Sequence, residues 1–175
     1  MLNKKLSFIA YIVVLLILGW VLRYFALNPL GQPQITAKSL YNTKLIRIDG
    51  TAANADAYRN KIIVLNFWAT WCPPCREEMP ELSQLHTQYQ QQNVTVLGVA
   101  IDEPSAVAEY LKNAPVSYPV LLTENESFDL ASQLGNNQAV LPYTVIIDEN
   151  GSIIETFMGR ITKEKLEKPL HKLLK

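Results

Sequence analysis

The chain contains two cysteines, three positions apart in Trp71-Cys72-Pro73-Pro74-Cys75 and directly after the apolar run 62–68. Such a pair at a strand-to-helix junction can close a small disulfide ring and reopen it. A structural zinc needs four ligands, and neither a histidine nor a further cysteine lies nearby, so no metal is assigned. Thiol–disulfide exchange is the chemistry the spacing supports. A static disulfide or two inert buried thiols is the alternative. The attacking sulfur must be an accessible thiolate. Cys72 stands at the start of the predicted helix, where backbone donors and the positive dipole end favour a negative sulfur. Cys75 lies one turn deeper and is expected to be shielded. Cys72 is therefore read as the nucleophile and Cys75 as the thiol that resolves the mixed disulfide.

The residues around the pair refine this reading. Pro73 and Pro74 have no backbone N–H, so two potential donors to the Cys72 thiolate are missing. A less stabilised thiolate means a less oxidising couple, which argues for a reductant. Glu78 follows Cys75 by three residues and shares its helical face. If that face is buried, the carboxyl has a raised pKa and can relay the Cys75 proton; otherwise Glu78 is a surface residue like Glu77. Trp71 is expected to be an exposed aromatic platform, and Trp68 a core residue. His86 and His171 occupy predicted helices without a second ligand and carry no assignment. Asn93-Val94-Thr95 and Asn125-Glu126-Ser127 match a glycosylation pattern that matters only in a eukaryotic secretory chain.

The elements that must hold these residues follow from periodicity. Residues 44–51 alternate and end in Asp49-Gly50, predicting a short strand and a turn. The run 62–68 reads as a strand covered on both faces. Residues 73–91 read as a helix, with Met79, Leu82, Leu85 and Tyr89 at 3–4 spacing. Residues 94–101 form another buried strand, 105–112 a helix, 118–122 a short extended piece and 127–134 a helix ending at Gly135. Residues 143–148 and 152–158 flank Glu149-Asn150-Gly151, a hairpin signature. Thr162 is expected to cap a final helix with acidic residues early and lysines late. The order predicts an α/β layered domain. Lys plus Arg and Asp plus Glu are 16 each, so no charge excess points to nucleic acid. A domain of this size builds its core without disulfide staples, so the cysteines are free to do chemistry.

The N-terminus sets the expected compartment. Lys4 and Lys5 precede an uncharged apolar run, 6–22, of roughly 26 Å as a helix, which residues 24–27 extend if Arg23 snorkels. A cleaved signal peptide has a shorter apolar region and small residues at the cut. The reading is an uncleaved anchor over 6–27, with 1–5 cytoplasmic, a Pro/Gly-punctuated linker over 28–35 and the domain over 36–175 outside the cytoplasm. Disulfides persist and exchange there, in the periplasm or beyond the inner membrane.

The segment Asn66-Phe67-Trp68-Ala69-Thr70-Trp71-Cys72-Pro73-Pro74-Cys75-Arg76-Glu77-Glu78-Met79-Pro80 resembles the active-site segment of TlpA/ResA-type, membrane-anchored thiol–disulfide oxidoreductases of the thioredoxin superfamily. Leu141-Pro142-Tyr143-Thr144 resembles that family's cis-proline strand. The resemblance covers about residues 36–174. It implies a thioredoxin-like fold with a central mixed sheet flanked by helices, an N-terminal hairpin and an internal insert. It further implies a cis bond before Pro142, with Leu141 and Pro142 beside the cysteines to pair with an extended substrate, and a functional carboxylate at the position of Glu78. Thioredoxin's buried Asp is replaced by Asn66, so the proton relay must come from elsewhere. The implied partners are disulfide-containing proteins and a transmembrane thiol electron donor, with no cofactor. A cytochrome c maturation thioredoxin, which reduces apocytochrome cysteines, is a rival weakened by Tyr143 where those proteins have Glu. A copper chaperone would need a histidine nearer than His171, a peroxidase an isolated cysteine, and a non-catalytic binding module inert thiols.

Overall fold

The structure, a computed structural model, describes residues 2–27, 36–123 and 128–174; within the first helix it describes the side chains of residues 11–25. The expected linker over 28–35, Lys4 and Lys5 as side chains, and the Asn125-Glu126-Ser127 pattern lie outside these. The chain divides into two compact units, Met1–Gln34 and Ile35–Lys175.

The first unit holds helix α1, Leu2–Leu27. Its described side chains include Trp20, Leu22 and Tyr24, all exposed, as are the apolar side chains from Tyr11 to Leu18. Among the described residues no helix is long and apolar enough to cross a membrane; residues 6–10 of the expected span are not among the described side chains.

Among the described residues of the second unit, seven strands form one sheet in the order β2-β1-β5-β4-β3-β6-β7. These are β1 Leu45–Arg47, β2 Ala52–Ala53, β3 Ile62–Trp68, β4 Val94–Ala100, β5 Val120–Thr123, β6 Tyr143–Ile147 and β7 Ile153–Met158. Strand β3 is central and every one of its residues is buried. It pairs parallel with β4 and antiparallel with β6, so the sheet is mixed. The continuous apolar run is what a strand covered on both faces requires. The short helix α2, Lys38–Asn42, precedes strands β1 and β2, which pair antiparallel as the N-terminal hairpin, and α4, Pro104–Asn113, β5 and α5, Asp129–Gln133, stand between β4 and β6. The fold is thioredoxin-like.

The helix after β3, α3 (Pro73–Tyr89), buries Cys75, Glu78, Met79, Leu82, Leu85 and Tyr89, a 3–4 spacing that turns one face to the sheet. Burying Leu82 or Leu85 contributes about 1.5–3 kcal/mol each. A single helix over 73–91 is expected; α3 ends at Tyr89 and a 3-10 turn covers Gln90–Gln92, closed by Asn93 at φ +61°. At the β6–β7 hairpin, Asp148 Oδ1 accepts from the amides of Asn150 and Ser152 (2.9 and 2.7 Å), and Gly151 supplies the left-handed φ of +81°. Thr162 does occupy the N-cap position of the last helix, α6 (Lys163–Leu173), but its side chain makes no cap hydrogen bond. Instead the Lys163 amide donates to Glu81 Oε2 at 2.8 Å. A carboxylate from α3 caps α6 and so ties the end of the chain to the active-site helix.

Candidate active site

Strand β3 delivers the motif. Its last residue, Trp68, is buried, and the chain leaves the sheet through Ala69-Thr70-Trp71 before α3 begins. Thr70 fixes the turn, its amide and hydroxyl both donating to Asp102 Oδ2 (2.8 and 2.5 Å). Trp71 is 63% exposed. Cys72 is the N-cap of α3, Pro73 and Pro74 fill the first two helical positions, and the amide of Cys75 donates to Cys72 Sγ at 3.3 Å. Proline fits there because its missing N–H costs the helix no hydrogen bond. Cys72 and Cys75 form a disulfide with a Cα–Cα separation of 5.3 Å.

Cys72 is expected to be open to partners, yet in the disulfide form it is only 4% exposed; Cys75 is fully buried. The order of access is retained, but the margin is small, because both cysteines belong to the same apolar cluster. Both sulfurs sit in the apolar cluster that includes Trp68, Met79, Val96 and Tyr118.

Glu78 is fully buried, so the surface alternative does not hold for it; Glu77 remains exposed. Burial pushes the Glu78 carboxyl up to about 7, against the opposing pull of the Ile161 amide, Asn66 and Arg160. Its two oxygens are individually addressed. Oε1 accepts from Asn66 Nδ2 at 2.7 Å and Oε2 from the Ile161 amide at 2.8 Å. Asn66 Nδ2 also reaches Thr144 Oγ1 at 3.0 Å. Asn66 and Thr144 are direct partners across β3 and β6. Glu78 stands one helical turn from Cys75 on the buried face of α3.

The Leu141–Pro142 peptide bond is cis. Pro142 is buried and Leu141 half-buried, and the Pro142 carbonyl accepts from the Gly159 amide at 2.9 Å. Leu141 packs against the cluster that contains both cysteines. Tyr143 is fully buried and its hydroxyl donates to the Leu134 carbonyl at 2.9 Å, so this side chain serves the core. The histidines serve packing as well: His86 Nδ1 accepts from the Val96 amide (3.3 Å) and His171 Nε2 meets the Tyr89 hydroxyl (2.8 Å).

Sequence reasoning assigned no role to Thr144 or to the Ile161 amide, and treated Asn66 only as a missing acid. The available signal was polarity: Asn66 and Thr144 interrupt otherwise apolar buried strands. The Ile161 amide leaves no trace in residue types.

The AhpC/TSA family model matches residues 33–156. A thiol-disulfide oxidoreductase ResA of Geobacillus kaustophilus is 34% identical over 117 residues, spanning 66% of this chain and 65% of that protein. The ResA of Geobacillus thermodenitrificans is 32% identical over 127 residues, covering 72% of this chain and 71% of the relative. Among solved structures, a putative thiol:disulfide interchange protein DsbE from Chlorobium tepidum superposes with a TM-score of 0.68 at 24% identity, over 75% of this chain and 92% of its own; at that identity the likeness speaks for the fold alone.

Proposed function

The chain belongs to the AhpC/TSA family and, within it, to the thiol–disulfide oxidoreductases, and from that premise we propose that it is a membrane-anchored reductant of protein disulfides outside the cytoplasm. Reduced Cys72 attacks a substrate disulfide and forms a mixed disulfide, releasing one substrate thiol. Cys75 then attacks Cys72 Sγ, releasing the second, and the Cys72–Cys75 disulfide remains. Glu78 accepts the Cys75 proton as that thiol becomes the attacking thiolate. Trp71, Leu141 and Pro142 border the cysteines and receive the substrate chain. A transmembrane thiol donor restores the dithiol, because electrons for a reductase in that compartment must cross the membrane.

The observation that carries the direction is the pair of prolines at the first two positions of α3. Only Cys75 and residues beyond it offer amides at this helix start, and it is the Cys75 amide that reaches Cys72 Sγ. A thiolate with few donors is poorly stabilised, and the couple is correspondingly reducing. Equilibration with glutathione or dithiothreitol buffers is expected to place the potential below about −180 mV. A value near that of a dedicated oxidase, about −120 mV, overturns the direction while leaving the exchange chemistry intact.

The anchor reading rests on the sequence of α1, apolar over 6–22 after Lys4 and Lys5, and on the exposed apolar side chains of its described part. Exposed large apolar surface of this extent needs a cover, and a bilayer is one. Full-length protein is expected in the membrane fraction, resistant to carbonate washing, with residues 36–175 cleaved by protease added to the outer face of spheroplasts. Recovery in the soluble fraction refutes the anchor.

A further inference from the structure

We propose that proton uptake by Glu78 turns over the side-chain amide of Asn66, so that Asn66 donates to the carboxylate and accepts from the carboxylic acid. The inference builds on the reading of Glu78 as the Cys75 proton acceptor and makes Asn66 a positioning residue for it.

The argument is one of donors and acceptors. Glu78 Oε1 faces Asn66 Nδ2 and Oε2 faces the Ile161 amide, at 2.7 and 2.8 Å. Both partners are donors, which suits an ionised carboxylate. Each oxygen keeps a second lone pair that can take a proton, but for the acid's O–H to bond to either present partner, that partner has to reverse. The Ile161 amide belongs to the backbone and cannot. Its segment is further held by the Lys163 amide on Glu81 Oε2 at 2.8 Å and by Arg160 lying 3.4 Å from Glu77 and 3.7 Å from Glu81.

Asn66 can reverse. Its terminal torsion has two nearly equivalent settings that exchange oxygen and nitrogen. The oxygen it would bring round, Oδ1, is buried and has no hydrogen-bond partner among the described residues. After a half-turn, Oδ1 stands where Nδ2 stood and accepts from the new Glu78 O–H, while Nδ2 takes the place that Oδ1 held. The second neighbour follows without moving. Thr144 Oγ1 accepts from Nδ2 at 3.0 Å, and a hydroxyl can equally donate to Oδ1. The Ile161 amide stays on Oε2, which becomes the carbonyl oxygen of the acid. One proton moves, from the Cys75 thiol to Oε1: an S–H bond breaks, an O–H bond forms, and no electrons are exchanged. An Asp at position 66 has no donor for the ionised form, and a Leu has neither donor nor acceptor.

The groups that face Glu78 set the pH of this event without replacing the switch. Arg160, from the segment after β7, favours the ionised form, whereas Glu81 on α3 opposes it. Tyr118, ahead of β5, is held neutral by burial first and by the Glu78 charge second.

The test uses isotope-labelled full-length protein in detergent micelles, with the disulfide closed so that Cys75 does not titrate. The Glu78 carboxyl carbon and the Asn66 side-chain amide protons are followed by NMR from pH 5 to pH 9. At pH 9 the amide protons are expected to show contacts to Thr144 and Glu78 side-chain protons. These are expected to vanish at pH 5, with the same midpoint as the Glu78 carbon. In Glu78→Gln the amide is expected to show the low-pH pattern throughout, because the Gln side chain donates where the acid would. Asn66→Leu is expected to raise the Glu78 midpoint by about one pH unit, since the charged form loses the stronger hydrogen bond. Amide contacts that persist while Glu78 titrates overturn the switch, as does a high-pH pattern in Glu78→Gln. Neither readout requires the Leu variant to fold. Failure of the relay itself is separate: it shows as an unchanged pH profile of disulfide exchange in Glu78→Gln, whatever Asn66 does.

Discussion

Replacing Cys75 with Ala is expected to convert the reduced protein into a trap that holds substrate proteins as mixed disulfides on Cys72. Cys72 keeps its helix-start position and the amide of residue 75, which an alanine still supplies to Cys72 Sγ. Attack therefore proceeds. Release does not, because the resolving sulfur normally sits within the same helical turn, 5.3 Å away between Cα atoms. Intramolecular attack of that kind corresponds to effective molarities of about 10⁵ M or more. An external thiol at millimolar concentration cannot match it, so turnover is expected to fall on the order of 10³-fold or more. The measurement is twofold: insulin-reduction rate, and non-reducing gels of membranes in which Cys75→Ala shows adducts that dithiothreitol dissolves. Cys72→Ala is expected to show neither activity nor adducts. Adducts of equal abundance on Cys75 in the Cys72→Ala variant would reverse the assigned roles. The buried setting of Cys75 argues against that outcome.

How much of this could be read before folding depends on the kind of interaction. The Cys-x-x-Cys pair, the all-buried β3 and the amphipathic α3 are local patterns, visible because chemistry and periodicity lie within a few residues of one another. The β6–β7 hairpin was equally visible through Asn150-Gly151. Long-range pairings were not. Nothing in the sequence couples Glu78 to the Ile161 amide, 83 positions away, or Glu81 to the amide of Lys163. Those contacts arise because α6 returns against α3, which no periodicity encodes. They also explain why Thr162 makes no cap bond of its own, since a carboxylate from another helix has taken over. Likewise Asn66 reads as a lost acid in one dimension, and becomes a partner of Glu78 only when β3 and α3 pack. The limited exposure of Cys72 belongs to the same class, because it follows from the surrounding cluster rather than from its place at a helix start.

Glu78→Gln is expected to make the protein more stable above neutral pH and a slower enzyme, and the two effects have one cause. Burial raises the carboxyl from 4.5 to about 7. Between those values the folded chain binds a proton that the unfolded chain has released, so stability falls as pH rises through the window. Below about 4.5 both states are protonated and the group contributes nothing. Above about 7 the folded state carries the whole cost of a buried charge, about 3 kcal/mol for a shift of this size. Gln removes that cost while keeping the shape and the contacts of the neutral acid. Urea titrations at pH 5 and pH 8 are therefore expected to show the variant gaining about 2–3 kcal/mol over the parent at pH 8 and less at pH 5. Exchange is expected to slow on the order of 10²-fold, with loss of the rate step near pH 7, because Gln cannot accept the Cys75 proton. Parallel stability curves for parent and variant from pH 5 to pH 8 would show that Glu78 does not hold a raised pKa. A stability gain with an unaltered rate profile would leave the carboxyl a buried structural group. Both effects together would identify the cost of the buried acid as the condition of its use: a carboxyl that ionised as readily as in solvent would be too weak a base to take the Cys75 proton.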